Sequence, residues 1–280
     1  MHTTIIDVPT LAALLGTPGV VVVDCRFDLA DTARGESAYL EGHIPGAVYA
    51  HLDRDLSGPK TGGNGRHPLP TPETLASTLG RLGIDASSQV VVYDQDTGMY
   101  ASRLWWMLRW LGHDAVAVLD GGYAAWTNAG HACVPGAEAP TPRTFIAAPR
   151  PDRLLTVDEV LPLTTSTTRI VDARAPVRFR GEQEPIDPVA GHIPGAVNHF
   201  FMRSMDENGR FRSADDLRRE WTSSLGDAHP SEVVCYCGSG VTACHDLLSL
   251  EVAGLPGAKL YAGSWSEWVA DPTRPVATGD

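Results

Sequence analysis

At 280 residues, 43% of them hydrophobic, the chain is long enough for two globular domains of ordinary size. A formal net charge of -12 argues against nucleic acid or an anionic membrane as partner, while a local arginine pocket still admits a small anion. No apolar run approaches a membrane span, the first residues lack a signal-peptide pattern, and five scattered cysteines read as free thiols in a reducing, cytoplasmic compartment.

In chain order, apolar spacing predicts a helix over 10–15, a buried strand over 20–24, and a short strand over 47–49. A helix over 72–82 starts at Thr71, a cap residue followed by proline. A strand over 90–94, a helix over 100–111, a strand over 115–119 and a helix over 123–129 complete the first half. The second half repeats that order, with helices or strands over 157–163, 170–172, 196–198, 215–221, 232–236, 242–250, 259–261 and 265–269. The repeat is also literal. Gly42-His-Ile-Pro-Gly-Ala-Val48 returns unchanged at Gly191 to Val197, 149 positions on, and Val20 to Arg26 is answered by Ile170 to Arg174. A period near half the chain denotes a duplicated domain. β-Branched runs alternating with helices imply an α/β fold, in each half a parallel sheet covered on both faces by helices. The expected domains are 1–132 and 153–280, joined by a proline- and alanine-rich linker over 133–152.

The stretch with chemistry in it runs from Glu232 to Leu250. A β-branched strand ends at Tyr236, and Cys237-Gly-Ser-Gly-Val-Thr242 turns into a helix. Two glycines let the backbone curl so that successive N–H groups point inward, and the helix start adds its positive end. Such a cradle steadies a sulfur anion, so Cys237 reads as a nucleophile rather than a small buried hydrophobe. Cys235 and Cys244 read as packing residues, and no second cysteine pair completes a metal site.

The two Gly-His-Ile-Pro-Gly-Ala motifs, the Cys237–Thr242 loop and Gly263-Ser-Trp-Ser-Glu-Trp268 together resemble the tandem-domain rhodaneses, and within them the thiosulfate/3-mercaptopyruvate sulfurtransferases. The resemblance spans nearly the whole chain. It implies two tandem rhodanese-like domains, the second catalytic, and a sulfane sulfur carried as a persulfide on Cys237 without metal or cofactor. The donor is a small anion; the acceptor is a thiol, thioredoxin among the candidates, or cyanide. Asp94 stands in the first half where Cys237 stands in the second, which implies a catalytically silent first domain. Backbone N–H groups of Gly238, Gly240, Val241 and Thr242 are expected to hold the charged sulfur, with Thr242 also capping the helix.

The resemblance bears on the donor as well. The loop positions Gly238 and Ser239 are neutral, as in the mercaptopyruvate type, and Ser239 matches a serine proposed there to serve the departing enolate. Arg178 matches the arginine that binds the donor's charged group. A second arginine, typical shortly before the second Gly-His-Ile-Pro-Gly motif, is absent from 184–190, leaving Arg66, Arg203 and Arg210 as substitutes. His43, His192 and the pairs Asp24/Arg26 and Asp172/Arg174 read as structural because they occur in both halves. Trp105, Trp106, Trp110 and Trp268 read as core or interface residues, Ser264 and Trp265 as pocket lining. The glycine-rich 55–69 reads as a cover over the site or a plain surface loop. Two other classes compete. A phosphatase or arsenate reductase needs arginine six residues after the cysteine, where this chain has Ala243. A non-catalytic binding module needs no intact cysteine loop.

Overall fold

The β-branched runs become two sheets of five strands each in a computed structural model that describes all 280 residues. The first half contains β1 (Ile5–Ile6), α1 (Val8–Leu14), β2 (Val20–Asp24), α2 (Arg34–Glu41), β3 (Val48–Tyr49), α3 (Pro72–Arg81), β4 (Gln89–Tyr93), α4 (Ala101–Trp110), β5 (Val116–Leu119) and α5 (Gly122–Asn128). The second contains β6 (Leu154–Leu155), α6 (Val157–Val160), β7 (Arg169–Asp172), α7 (Pro176–Phe179), β8 (Val197–Asn198), α8 (Ala214–Leu225), β9 (Val233–Tyr236), α9 (Thr242–Val252), β10 (Lys259–Tyr261) and α10 (Ser264–Trp268). Strand orders are β1-β5-β4-β2-β3 and β6-β10-β9-β7-β8, every pair parallel. Each sheet is thus an α/β unit of the same winding. The four-residue β9 is buried throughout and lies between β10 and β7, so its carboxyl end opens at the middle of the sheet.

The repeated letters do the same work twice. Arg26 grips Asp24 through Nε and Nη2 and donates to Gly42 O; Arg174 grips Asp172 likewise and donates to Gly191 O. Each pair is buried, where a single partner would leave an uncompensated charge. His43 Nδ1 lies 2.9 Å from Tyr39 O, and His192 Nδ1 2.8 Å from Phe179 O, each ring stacked on that same aromatic residue. Their backbones bridge to Val134 and Ala277, tying down the chain that leaves each sheet.

By chain contacts, one unit comprises Met1–Gly58, Pro70–Arg150 and Glu207–Phe211, the other Pro59–Leu69, Pro151–Asp206 and Arg212–Asp280. Segment Pro59–Leu69 therefore belongs with the second sheet although its letters fall in the first half. Its glycine-rich start, 59–63, is exposed, whereas the Arg66 N–H donates to Ser266 Oγ at 2.9 Å and His67 is buried. Apolar spacing predicts none of β1, β6, α2 and α7. The strands have two residues each, and α2 buries only Gly35 and Tyr39, too little for an apolar stripe.

Candidate active site

The backbone holds Cys237 before any side chain does. Its N–H donates to Ser264 Oγ at 3.1 Å, its carbonyl accepts the Trp265 N–H at 2.9 Å, and the Gly238 carbonyl accepts the Ser266 N–H at 2.9 Å. The loop is thereby pinned to the first turn of α10. Its other face closes on the sulfur, with the Gly240 N–H donating to Cys237 Sγ at 3.2 Å. Gly240 has φ +74, and a Cβ there would meet Ala262 O at 2.3 Å, so no other residue fits the turn. α9 begins five positions after the sulfur with no side-chain cap, leaving the helix's positive end to the loop. Val241 is the N-cap and Thr242 the first helical residue, so Thr242 does not cap the helix as expected.

Ser239 and Arg178 both come to this loop. Ser239 Oγ lies 2.8 Å from His67 Nδ1, and both residues are buried. His67 escaped sequence reading because it is 172 positions away on the glycine-rich segment, and nothing in its local letters marks it. Arg178, on α7, donates through Nε to both Glu184 oxygens at 3.1 Å and through Nη2 to Glu184 Oε1 at 2.7 Å and Asp187 Oδ2 at 2.9 Å. Arg66 donates through Nη1 to Asp187 Oδ1 at 2.6 Å. A Cβ on Gly238 would lie 3.0 Å from Arg66 Nη2 and 3.6 Å from both terminal nitrogens of Arg178. Of the three candidate arginines, Arg66 is the one whose guanidinium reaches the loop. Arg203 pairs with Glu220, and Arg210 lies against Gly121 in the other unit. Burial opposes ionisation of Glu184, but hydrogen bonds from Arg178 and from the Asp187 and Ile186 N–H groups outweigh it and hold its carboxyl below the usual range.

Behind the loop, Cys235 and Cys244 are buried; burial pushes the Cys235 thiol well up, and Cys244 Sγ donates to Gly240 O at 3.3 Å. Asp246 on α9 is buried with neither carboxyl oxygen hydrogen-bonded. Burial, then negative charge at Cys237 and Asp172, pushes this acid well above the carboxylate range. Trp265 packs fully buried, its indole N–H on Val189 O at 2.9 Å. The assembly is a recessed thiol in a tight turn, with a hydroxyl–imidazole pair and two guanidinium groups at the same loop. It suits attack on a small anion.

The rhodanese-like domain family model matches twice, over residues 7–129 and 156–271. A Pseudomonas aeruginosa protein named "Probable 3-mercaptopyruvate sulfurtransferase" is 50% identical over 275 residues, covering 96% of both chains. The thiosulfate sulfurtransferase of Bos taurus is 36% identical, covering 94% of this chain and 90% of its own. Among solved structures, the 3-mercaptopyruvate sulfotransferase SseA of Escherichia coli superposes with a TM-score of 0.82 at 33% identity, over 94% of this chain and 99% of its own. The chain belongs to the tandem-domain rhodanese family of thiosulfate and 3-mercaptopyruvate sulfurtransferases.

Proposed function

We propose that the chain takes sulfur from 3-mercaptopyruvate onto Cys237 and passes it to a thiol or to cyanide. The Cys237 thiolate attacks the donor's sulfur as the carbon–sulfur bond breaks, and the bonding pair leaves with the methylene carbon as the enolate of pyruvate. The sulfur keeps its hydrogen as Cys237–S–SH, which ionises to a persulfide in the N–H-lined loop. The enolate takes a proton and departs as pyruvate. An acceptor thiolate then attacks the outer sulfur, and the S–S pair returns to Cys237, giving ping-pong kinetics. Gly238, Gly240, Val241 and Thr242 supply the sulfur-binding backbone; Arg178 and Arg66 orient the donor's carboxylate. The first unit, with Asp94 at the corresponding position, takes no part in the covalent steps. Five cysteines without a disulfide among them suit a reducing compartment such as the cytoplasm, where a dithiol protein such as thioredoxin is a fitting acceptor.

The Ser239–His67 contact carries the choice of donor. Mercaptopyruvate leaves behind a carbanion that needs a proton, which a serine hydroxyl backed by imidazole supplies. Thiosulfate leaves as sulfite and needs none. Initial rates with both donors and cyanide as acceptor test this. Wild type should favour mercaptopyruvate in kcat/KM, and Cys237→Ala should lose about 10^3-fold or more. Ser239→Ala should lower kcat with mercaptopyruvate by about 10- to 100-fold while leaving thiosulfate nearly untouched. Preference for thiosulfate, or turnover by Cys237→Ala, would sink the reading.

A further inference from the structure

The donor site carries as many carboxylates as guanidinium groups. Arg66, Arg174 and Arg178 are matched by Asp172, Glu184 and Asp187, all within one bonded set: Asp172 holds Arg174, Glu184 spans Arg174 and Arg178, and Asp187 spans Arg178 and Arg66. The side chains of Glu184 and Asp187 are 4% and 3% exposed, so solvent and salt screen them little. The nitrogens left toward Gly238 are Arg66 Nη2 and Arg178 Nη1, and Arg66 Nε is buried without a partner. The carboxylates therefore act from behind. They orient the guanidinium edges at the loop and cancel their charge.

Building on the mercaptopyruvate reading, we propose that Asp187 is a specificity-determining residue, a counterion that tunes the donor site to monoanions and against dianions. Electrostatic attraction scales with the charge of the ligand, whereas a hydrogen bond depends on where the donor points. A charge-balanced site with well-aimed N–H groups holds a single carboxylate by directional bonds. It gives a dianion little of the net field needed to repay the greater cost of desolvating it. At neutral pH 3-mercaptopyruvate is mainly a monoanion and thiosulfate a dianion. Removing one negative charge from the site adds attraction twice over for the dianion and once for the monoanion. Asp187 thus acts on donor choice through the two arginines it joins, without touching the reacting sulfur.

The test is the ratio of kcat/KM for thiosulfate to that for mercaptopyruvate, at pH 7 and fixed ionic strength. Asp187→Asn keeps the shape and removes the charge; the ratio should rise about tenfold or more, chiefly through KM for thiosulfate. Glu184→Gln makes the same charge change on the same arginine and should move the ratio the same way, which keeps the test open should Asp187→Asn fail to fold. Arg66→Gln subtracts positive charge and should lower the ratio. If Asp187 only braces the arginines, both donors lose together and the ratio stays flat, which overturns the inference. A flat ratio with turnover still dependent on Cys237 counts against Asp187 alone. Failure of wild type with both donors counts against the underlying reading.

Discussion

Two loops of common descent occupy the same place in the two sheets, and they treat negative charge in opposite ways. Hydrogen bonds equate them: Tyr123 N–H to Asp94 O and Ala124 N–H to Gln95 O repeat as Trp265 N–H to Cys237 O and Ser266 N–H to Gly238 O. In the first loop the acceptor is built in, a carboxyl whose pKa burial pushes up against the opposing N–H groups of Ala101, Tyr100 and Gly98. Asp94 Oδ1 accepts the Asp96 and Gly98 N–H groups, and Oδ2 those of Tyr100 and Ala101, all within 3.2 Å. In the second loop the corresponding atom is a sulfur with a single hydrogen bond from Gly240, in a turn two residues shorter before its helix. A ring of N–H groups filled by its own carboxylate is a structural brace. A thiol in the same place, with one N–H group on it, is left able to hold whatever charge chemistry places there.

Exchanging the two residues gives the largest expected effects. Cys237→Asp should abolish sulfur transfer, about 10^3-fold or more in kcat/KM, since the new carboxylate both removes the nucleophile and fills the cradle. Asp94→Cys should not create a second site. Three buried N–H groups, of Gly98, Tyr100 and Ala101, lose their acceptor, costing about 3 kcal/mol in urea unfolding. The new thiol would sit beside Asp96, where the second loop has neutral Ser239, so mass spectrometry after donor treatment should find no added sulfur on it. Sulfur on that residue would show that the cradle alone suffices and that the flanking residues of the second loop are dispensable.

A smaller effect separates backbone from side chain. Gly122 and Ser264, 142 positions apart, both have φ +56, a conformation glycine adopts freely and serine rarely. Ser264 repays it by accepting the Cys237 N–H and donating to Tyr261 O at 3.0 Å. Ser264→Ala keeps the strain and loses the contact; it should cost about 2 kcal/mol and lower kcat roughly tenfold by loosening the nucleophile. Ser264→Gly should recover about 1 kcal/mol of that stability without recovering kcat. Equal activity in all three proteins would mean the loop needs no support from this hydroxyl.

These contrasts mark where sequence stops being readable. The duplicated sheet follows from letters alone, because buried parallel strands demand β-branched runs and the Gly-His-Ile-Pro-Gly turn recurs intact. The strand–turn–helix around Cys237 follows too, since strand, glycines and helix start are contiguous. The partners are not contiguous. His67 reaches Ser239 only through the fold of Pro59–Leu69, and Asp187 lies where the family resemblance led one to look for a cation. Asp246 has a charged letter that favours a solvated helix face, yet it is buried behind the loop. Thr242 has the letter of a cap, but Val241 already has helical φ and ψ and takes the cap position itself. Local pattern specifies elements; the charge state and aim of a side chain are set by what the fold brings against it.

The least conspicuous difference between the halves is His199, whose counterpart 149 positions earlier is Ala50. His199 is buried, stacked on Trp221 with ring centres 3.6 Å apart, and its Nδ1 lies 2.9 Å from Ser224 Oγ. Burial, then positive charge at Arg203 and His245, lowers its imidazole to about 3. The fold therefore keeps it neutral, while the unfolded chain protonates it below about pH 6.5. Between those values the unfolded state binds a proton that the folded state refuses, so stability must fall as pH falls, by up to about 1.4 kcal/mol per pH unit from this group. His113 in the first unit is also lowered by burial and adds a background of the same sign. His199→Phe keeps the ring stack and removes the titration. Its unfolding free energy at neutral pH is set by the lost Ser224 contact, but its slope between pH 6 and pH 4 should be shallower than wild type by close to one proton. An unchanged slope would mean that the buried imidazole takes up its proton without leaving the fold, and that acid reaches the second unit through other groups.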